Sequence, residues 1–112
     1  MKLALLPFAL LLTMMVGLVA SATGSIEPQS SPGTIYGRRC ASCHGRDGRG
    51  DTAKGKLRGA RNLTDPQWQA EVSDERIFNS ITNGRGKMPS YGKKITEAET
   101  NSLVSYVRAL KK

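Results

Sequence analysis

The chain has 112 residues and a formal net charge of +8, which leaves room for one small domain and excludes a multidomain protein. Its first 22 residues hold one lysine, a long apolar run and the ending Ala20-Ser21-Ala22, which is the layout of a secretory signal peptide cleaved after Ala22. Of the 90 residues that follow, 26 are apolar, and domains of about this size with so few usually need a disulfide, a metal or another buried group. This composition excludes a large enzyme with its own cleft and a bundle of membrane spans.

The chain after the leader divides into a linker and a domain. Residues 23–32 are polar and include Pro28 and Pro32, so they predict a flexible linker, and residues 33–112 are the predicted domain. The leader has an apolar stretch, residues 3–20, of nearly membrane-spanning length. An uncleaved leader that anchors the protein is therefore the alternative to cleavage.

A short helix is predicted around the two cysteines, because Ile35, Tyr36, Cys40 and Cys43 have the spacing of one helix face. The segment 45–62 begins with a glycine that ends this helix, and it holds five glycines and almost no apolar side chain. It is predicted to be a loop. A loop of this length is uncommon in a small domain unless it wraps around something.

Helical signals return in the second half of the chain. Asp65-Pro66 opens a helical turn through Trp68, with proline at a first-turn position. Ser73 is the predicted N-cap of a helix over residues 74–83, whose first two residues are acidic, as the positive end of a helix favours.

The strongest helical signal lies at the C-terminus. Thr96 and Glu99 form a capping box ahead of a predicted helix over residues 97–110, which carries an apolar stripe. No segment has the pattern of a strand. The predicted fold is all-α, with three or four short helices and long loops between them.

The segment Cys40-Ala41-Ser42-Cys43-His44 has the C-x-x-C-H spacing of c-type haem attachment. On one helical turn two thiols can add to the two vinyl groups of a porphyrin, and the only histidine of the chain follows directly. A thioredoxin-like redox pair needs a βαβ setting, a zinc site needs four ligands, and an iron–sulfur cluster needs about four cysteines. A single disulfide across so short a loop would be a weak staple.

Met88 is the candidate for the second axial ligand of the iron, opposite His44. It is the only methionine outside the leader and stands in a loop before Pro89. A His/Met pair raises the reduction potential of haem iron, and it closes the iron to other ligands. The alternative is a methionine that fills a gap in the core or lies at the surface.

Over residues 33–112 the chain resembles small, soluble class I cytochromes c of the bacterial periplasmic type. The matching motifs, in chain order, are Ile35-Tyr36, Cys40-Ala41-Ser42-Cys43-His44-Gly45, Asn62-Leu63-Thr64-Asp65, Ile81, Asn83-Gly84, Met88-Pro89, and Leu103, Tyr106 and Leu110. The resemblance implies a cytochrome c fold wrapped around one haem c that is attached through two thioether bonds.

The resemblance also implies that the first and last helices cross, with Tyr36 and Tyr106 as the aromatic residues of the crossing. Gly33 stands one place nearer the cysteines than the usual glycine of the family. The family often has a proline whose carbonyl receives the axial histidine N–H, and this chain has none between residues 33 and 65. A loop carbonyl near residues 60–62 is therefore expected to orient His44.

Three other polar or aromatic residues have two interpretations each. Trp68 and Tyr91 either hydrogen-bond a haem propionate and line the pocket or serve as core aromatics, the latter being favoured for Trp68. Asn83 either supports the methionine loop or ends a helix beside Gly84.

The predicted function is transfer of single electrons between redox partners outside the cytoplasm, in the periplasm, by a monomer that is not itself an enzyme. A haem iron with two protein ligands has no open position, and the scattered carboxylates supply no general base. The alternative is a cytochrome subunit of a larger dehydrogenase or oxidase complex. A third interpretation is a ligand sensor or peroxidase-like protein in which Met88 leaves the iron or never binds it.

Eleven cationic residues stand near the haem motif and near Met88, and they predict a basic rim that steers the protein to acidic redox partners. Nucleic acid is not an expected partner, because residues 45–62 lack aromatic platforms between their cations. A membrane is expected to matter only through partner complexes or an uncleaved leader. The rim consists of Arg38, Arg39, Arg46, Arg49, Lys54, Lys56, Arg58, Arg61, Lys87, Lys93 and Lys94.

Overall fold

The computed structural model describes residues 29–112 and, before them, residues 17, 19–21 and 23–24, so most of the predicted signal peptide (residues 1–22) lies outside the described residues. Within this part of the chain there are six helices and no strand, as the all-α prediction requires, and no helix here is long and apolar enough to cross a membrane. The helices are α1 (Pro32–Arg39), α2 (Ala41–His44), α3 (Ala53–Arg58), α4 (Pro66–Glu71), α5 (Asp74–Asn83) and α6 (Glu97–Ala109).

The structure has six helices in its described residues, so the predicted number of three or four is wrong. One reason is that the helix predicted around the cysteines forms as two. The single helix predicted there is divided at Cys40, whose φ of −113° departs from regular helix geometry, so that α1 and α2 are separate. Helix α1 begins at Pro32, the last residue of the predicted linker, and the Ser31 side chain caps it by accepting from Thr34 N. Helix α2 ends at Gly45, as predicted, with a φ of 79°.

The second reason is α3, which lies inside the segment 45–62 that was predicted to be a loop. The Thr52 hydroxyl accepts from Gly55 N at 2.9 Å and so caps the first turn. Gly59 takes the left-handed conformation, with a φ of 68°, and ends the helix. Two good caps outweigh the poor helix propensity of this six-residue stretch, whose buried position is the glycine in its middle.

The later helices agree with the sequence patterns. Asp65 caps α4 through its contact with Gln67 N, and Ser73 caps α5, whose bounds are those predicted. Helix α6 has the predicted capping box between Thr96 and Glu99, and it ends at Ala109, one residue before the predicted end. Local caps therefore define these three helices.

Helices α1 and α6 pack against each other at the centre of the core. The rings of Tyr36 and Tyr106 have centroids 4.8 Å apart, so both aromatics implied by the family resemblance lie at the contact between the two helices. A Cβ placed on Gly33 would lie 3.6 Å from the Tyr106 ring, so this glycine also faces α6. Buried aliphatic residues of α5 and α6 complete the core: Ile77, Ile81, Leu103, Val104 and Val107.

A polar network that runs from buried Gln69 to the exposed Asp74 carboxylate joins α4, α5 and α6. The Gln69 side chain donates to the carbonyls of Leu63 and Val107 at 2.8 and 2.9 Å. Arg108 donates to Gln69 O and to the Asp74 carboxylate, both at 2.7 Å. Since the Arg108 guanidinium binds main-chain carbonyls at the end of α4, it satisfies groups that the helix itself leaves without a partner.

Candidate haem-binding site

The two cysteines lie one helical turn apart, and neither forms a disulfide. Cys40 joins α1 to α2, and its carbonyl accepts from His44 N at 2.9 Å, so the motif closes on itself as a turn of helix. Both thiols are half-buried. Burial, the largest influence, raises the pKa of Cys40 to about 11, with the Cys43 thiol adding to the shift and Arg39 opposing it. The Cys40 thiol is therefore neutral at physiological pH, and Cys40 packs partly buried against the core.

The His44 ring is held by a carbonyl from the glycine-rich loop. Its Nδ1 lies 3.0 Å from Arg61 O, and because a carbonyl can only accept, Nδ1 carries the proton and Nε2 keeps its lone pair. The expectation of an orienting carbonyl near residues 60–62 is confirmed. Burial lowers the pKa of His44, and the hydrogen bond to Arg61 O acts against that shift. The neutral form of the ring is thus favoured, which is the form that binds a metal.

The approach of the loop to His44 depends on glycines whose role the sequence did not reveal. A Cβ on Gly50 would lie 2.7 Å from Ala60 O and 2.9 Å from Arg61 O, and Gly50 N donates to His44 O at 2.7 Å. On the neighbouring side, the Thr52 hydroxyl donates to the carbonyl of Ser42 at 2.7 Å, at the end of α2. The sequence shows Gly50 and Thr52, but their roles become evident only from the carbonyl groups that they contact in the fold.

Met88 lies half-buried in a tight turn that follows α5. Met88 N donates to Arg85 O at 2.9 Å and Arg85 N donates to Met88 O at 3.1 Å, so the turn is closed from both sides. Gly84 begins the turn with a φ of 75°, and a Cβ there would lie 2.6 Å from Met88 O. The thioether is therefore carried by a backbone that is already fixed.

The remaining candidate residues divide between the site and the core. The Tyr91 hydroxyl donates to Arg39 O at 3.0 Å, immediately before Cys40, and burial followed by the nearby thiols raises the pKa of Tyr91. Trp68 packs half-buried against the core. Asn83 is exposed as the last residue of α5, where Gly84 ends the helix.

Apolar side chains at the cysteine motif and at Met88 are only partly buried. Nine apolar side chains of the described residues are buried in the core. Nine others pack against this core but are only partly buried, and they include Cys40, Ala41, Met88 and Tyr91. Leu57 of α3 is 78% exposed. Because burial of apolar surface is worth about 25 cal/mol per Å², a porphyrin tied to the thiols would stabilise such a surface. Two thiols, a ring nitrogen with a free lone pair and a thioether are also the donor set that haem c uses.

The family comparison identifies the domain. Residues 27–107 match the model of the family described as cytochrome c oxidase, cbb3-type, subunit III. The match covers most of the chain, and the chain therefore belongs to this family of c-type cytochrome domains. Its cofactor is haem c, bound covalently.

Three similar proteins illustrate the relationship. The cbb3-type oxidase subunit FixP of Azorhizobium caulinodans is 33% identical over 94 residues, which are 83% of this chain and 31% of FixP. Cytochrome c6 of Leptolyngbya boryana is 30% identical over 77 residues, 67% of this chain and 84% of its own length. The solved structure of the KustC0563 c-type cytochrome has a TM-score of 0.70 and 39% identity, and the match covers 74% of this chain and 100% of that one.

These similarities confirm the predicted cytochrome c fold and the predicted class of protein. The chain spans less than a third of the length of the oxidase subunits FixP and CcoP that it matches. It covers most of the length of the single-domain cytochromes.

Proposed function

We propose that this protein carries single electrons, with haem c attached to Cys40 and Cys43 and its iron bound by His44 Nε2 and Met88 Sδ. When bound, haem supplies an iron that alternates between the ferric and ferrous states. The observation that carries the proposal is the His44–Arg61 hydrogen bond, since it fixes the ring tautomer and directs the free lone pair away from the loop.

The side chains around the site bind and orient, and they transfer no proton. His44 and Met88 would together leave the iron of a bound haem no open position for a substrate, so we propose that the domain has no catalytic activity of its own. Within the described residues no group of three or more His, Cys, Asp or Glu side chains could hold a separate metal ion. The hydrogen bond to His44 and the closed turn at Met88 would hold both ligands in place, which favours rapid outer-sphere electron transfer.

An absorption spectrum of the reduced protein, recorded with and without carbon monoxide, tests the closed site. The expected result is a six-coordinate spectrum that carbon monoxide leaves unchanged. A strong spectral shift on addition of the gas would contradict the proposal and would favour a ligand sensor or a peroxidase-like haem protein instead.

The basic rim supports a proposal about partners. All eleven of its cations are exposed, and among the described residues only Arg49 of the rim pairs with a carboxylate, that of Asp47 at 3.8 Å. Such a surface favours fast, weak encounters with acidic redox proteins, and these encounters weaken with salt because charges are screened beyond about 8 Å at physiological ionic strength.

Charge reversal tests the rim. Lys93→Glu/Lys94→Glu is expected to slow electron transfer to an acidic partner at low salt and to flatten its dependence on ionic strength. Lys111→Glu/Lys112→Glu changes the net charge equally at the exposed C-terminus and serves as the control. Equal effects of the two variants, or a wild-type rate that does not change with ionic strength, would show that the basic rim is not the docking surface.

A second candidate function is that of a cytochrome subunit in an oxidase complex. The match to the cbb3-type subunit III family favours it, because FixP and CcoP are named as subunits of such an oxidase. Purification from the native membrane and soluble fractions separates the candidates: a free carrier elutes alone at its monomer mass, whereas a subunit co-elutes with the complex.

We also propose that the protein is exported and acts in the periplasm. The leader pattern and the covalent attachment of haem c support this location. N-terminal sequencing of the purified protein is expected to begin at Thr23, and a retained leader would point to a membrane anchor.

A further inference from the structure

The methionine loop, defined as residues 84–92, is attached firmly on one side. Tyr91 N donates to Ile81 O at 2.9 Å, and Gly92 N donates to Thr82 O at 3.0 Å, so the end of the loop is bound to the last turn of α5. These bonds fix the loop to α5, but they do not fix its distance from α1 and α2, which carry the cysteines and the histidine.

The Tyr91 hydroxyl connects the methionine loop to the end of α1, next to the cysteine motif. It donates to Arg39 O at 3.0 Å, across 52 residues of sequence. Arg39 is the last residue of α1 and directly precedes Cys40, and the final carbonyls of a helix have no partner within it. The hydroxyl therefore satisfies an otherwise orphaned carbonyl at the start of the cysteine motif.

The Tyr91 ring keeps the hydroxyl in place. It packs half-buried against the core, and Lys94 Nζ lies 5.4 Å from the ring centroid. A cation at this distance from an aromatic ring attracts it. Burial and this contact both favour the ring position in which the hydroxyl reaches Arg39 O.

We infer that Tyr91 is a positioning residue, which holds the methionine loop against the cysteine motif and thereby keeps Met88 on the iron. The inference rests on the proposed function, because it requires Met88 to be the axial ligand. Met88 is only three residues from Tyr91, and the turn between Arg85 and Met88 transmits the position of the loop to the thioether. Without the hydroxyl, the loop stays bound to α5 but moves more freely away from α2.

The test is the holoprotein variant Tyr91→Phe, which keeps the ring and removes only the hydroxyl. The apparent affinity of the ferric protein for added imidazole, which competes with Met88 for the iron, is expected to rise about two- to tenfold, the range that one neutral hydrogen bond supports. The weak red charge-transfer band of the methionine–iron bond is expected to lose intensity, and the reduction potential is expected to fall.

Tyr106→Phe is the matched control, since the Tyr106 hydroxyl makes no hydrogen bond to another described residue and its ring also packs in the core. This variant is expected to keep the wild-type imidazole affinity and charge-transfer band. Denaturant unfolding of the same samples shows how far each substitution changes global stability.

Two results would overturn the inference and leave the proposed function intact. One is a Tyr91→Phe protein with wild-type imidazole affinity and band intensity, even if its stability falls. The other is an equal change in both variants. A wild-type protein that lacks the methionine band and binds carbon monoxide would instead overturn the proposed function, so the two failures are distinguishable.

Discussion

At the scale of single residues, the site depends on main-chain carbonyls as much as on side chains. His44 is oriented by Arg61 O, and the Tyr91 hydroxyl binds Arg39 O. Gly50 allows Arg61 O to come this close, since a side chain at position 50 would collide with Ala60 O and Arg61 O. A residue can therefore contribute to the site through its backbone alone, whatever side chain it carries.

The role of Met88 leads to a prediction at this scale. Met88→Ala removes the thioether, so the reduced protein is expected to bind carbon monoxide and its reduction potential is expected to fall by a sizeable part of the ~0.8 V range that axial ligands span. Absorption spectra and a redox titration measure both effects.

Lys87→Ala is the control for Met88→Ala, because it changes the adjacent exposed side chain and keeps the turn. It is expected to keep the wild-type spectrum. A Met88→Ala protein whose spectrum and potential match the wild type would show that another group binds the iron.

At the scale of elements, the contact between α2 and α3 is a close approach of backbones. Gly55 of α3 is buried, and a Cβ there would overlap Cys43 O. The Thr52 hydroxyl links the same two helices by donating to the carbonyls of Ser42 and Cys43 at 2.7 and 3.1 Å. Helix α3 therefore holds the glycine-rich segment 45–62 against the cysteine motif.

This contact predicts opposite effects for the same substitution in two helices. Gly55→Ala is expected to lower the free energy of unfolding by about 1–3 kcal/mol, because the added methyl group pushes α3 away from α2. Gly37→Ala in α1 meets nothing within 4 Å, and it is expected to raise the free energy of unfolding by up to ~1 kcal/mol through helix propensity.

Denaturant unfolding of the two holoproteins measures these changes. A Gly55→Ala protein as stable as the Gly37→Ala protein would mean that α3 is not packed closely against α2 in solution.

At the scale of the whole molecule, the core is incomplete as protein alone. Only nine apolar side chains of the described residues are buried, and nine more, from Cys40 to Leu110, are partly open. A small domain that buries so few apolar side chains gains little free energy to set against the conformational entropy of folding. A covalently bound apolar group adds burial area and also ties the cysteine motif to the core.

Loss of the haem is therefore expected to prevent a compact fold. The variant Cys40→Ser/Cys43→Ser, produced without haem attachment, is expected to show low helix content and no cooperative thermal transition by circular dichroism. The wild-type holoprotein, measured alongside, is expected to melt cooperatively. A variant with native-like helicity and cooperative melting would show that the protein part of the core is sufficient.

Much of the fold and the chemistry of the site could be predicted from local sequence. Ser73 and the Thr96–Glu99 capping box mark their helices to within a residue, because a cap bonds groups two or three positions away. The C-x-x-C-H motif is equally local. Helix α3 was missed because its composition resembles a loop, and its stability comes from caps and from packing on α2.

The amino-acid sequence by itself pointed to the class of the protein, its cofactor and the candidate ligands. The cysteines and His44 follow from the short spacing of one motif, Met88 from being the only methionine outside the leader, and the class from the resemblance over residues 33–112. Only the tertiary structure decided that Arg61 O orients His44, that Gly55 admits α3 to the cysteine motif and that Tyr91 bonds to Arg39 O. These contacts join residues that are 12 to 52 positions apart in the chain. Every residue has a carbonyl, so no side-chain pattern marks the one that a distant group will meet until the fold brings them together.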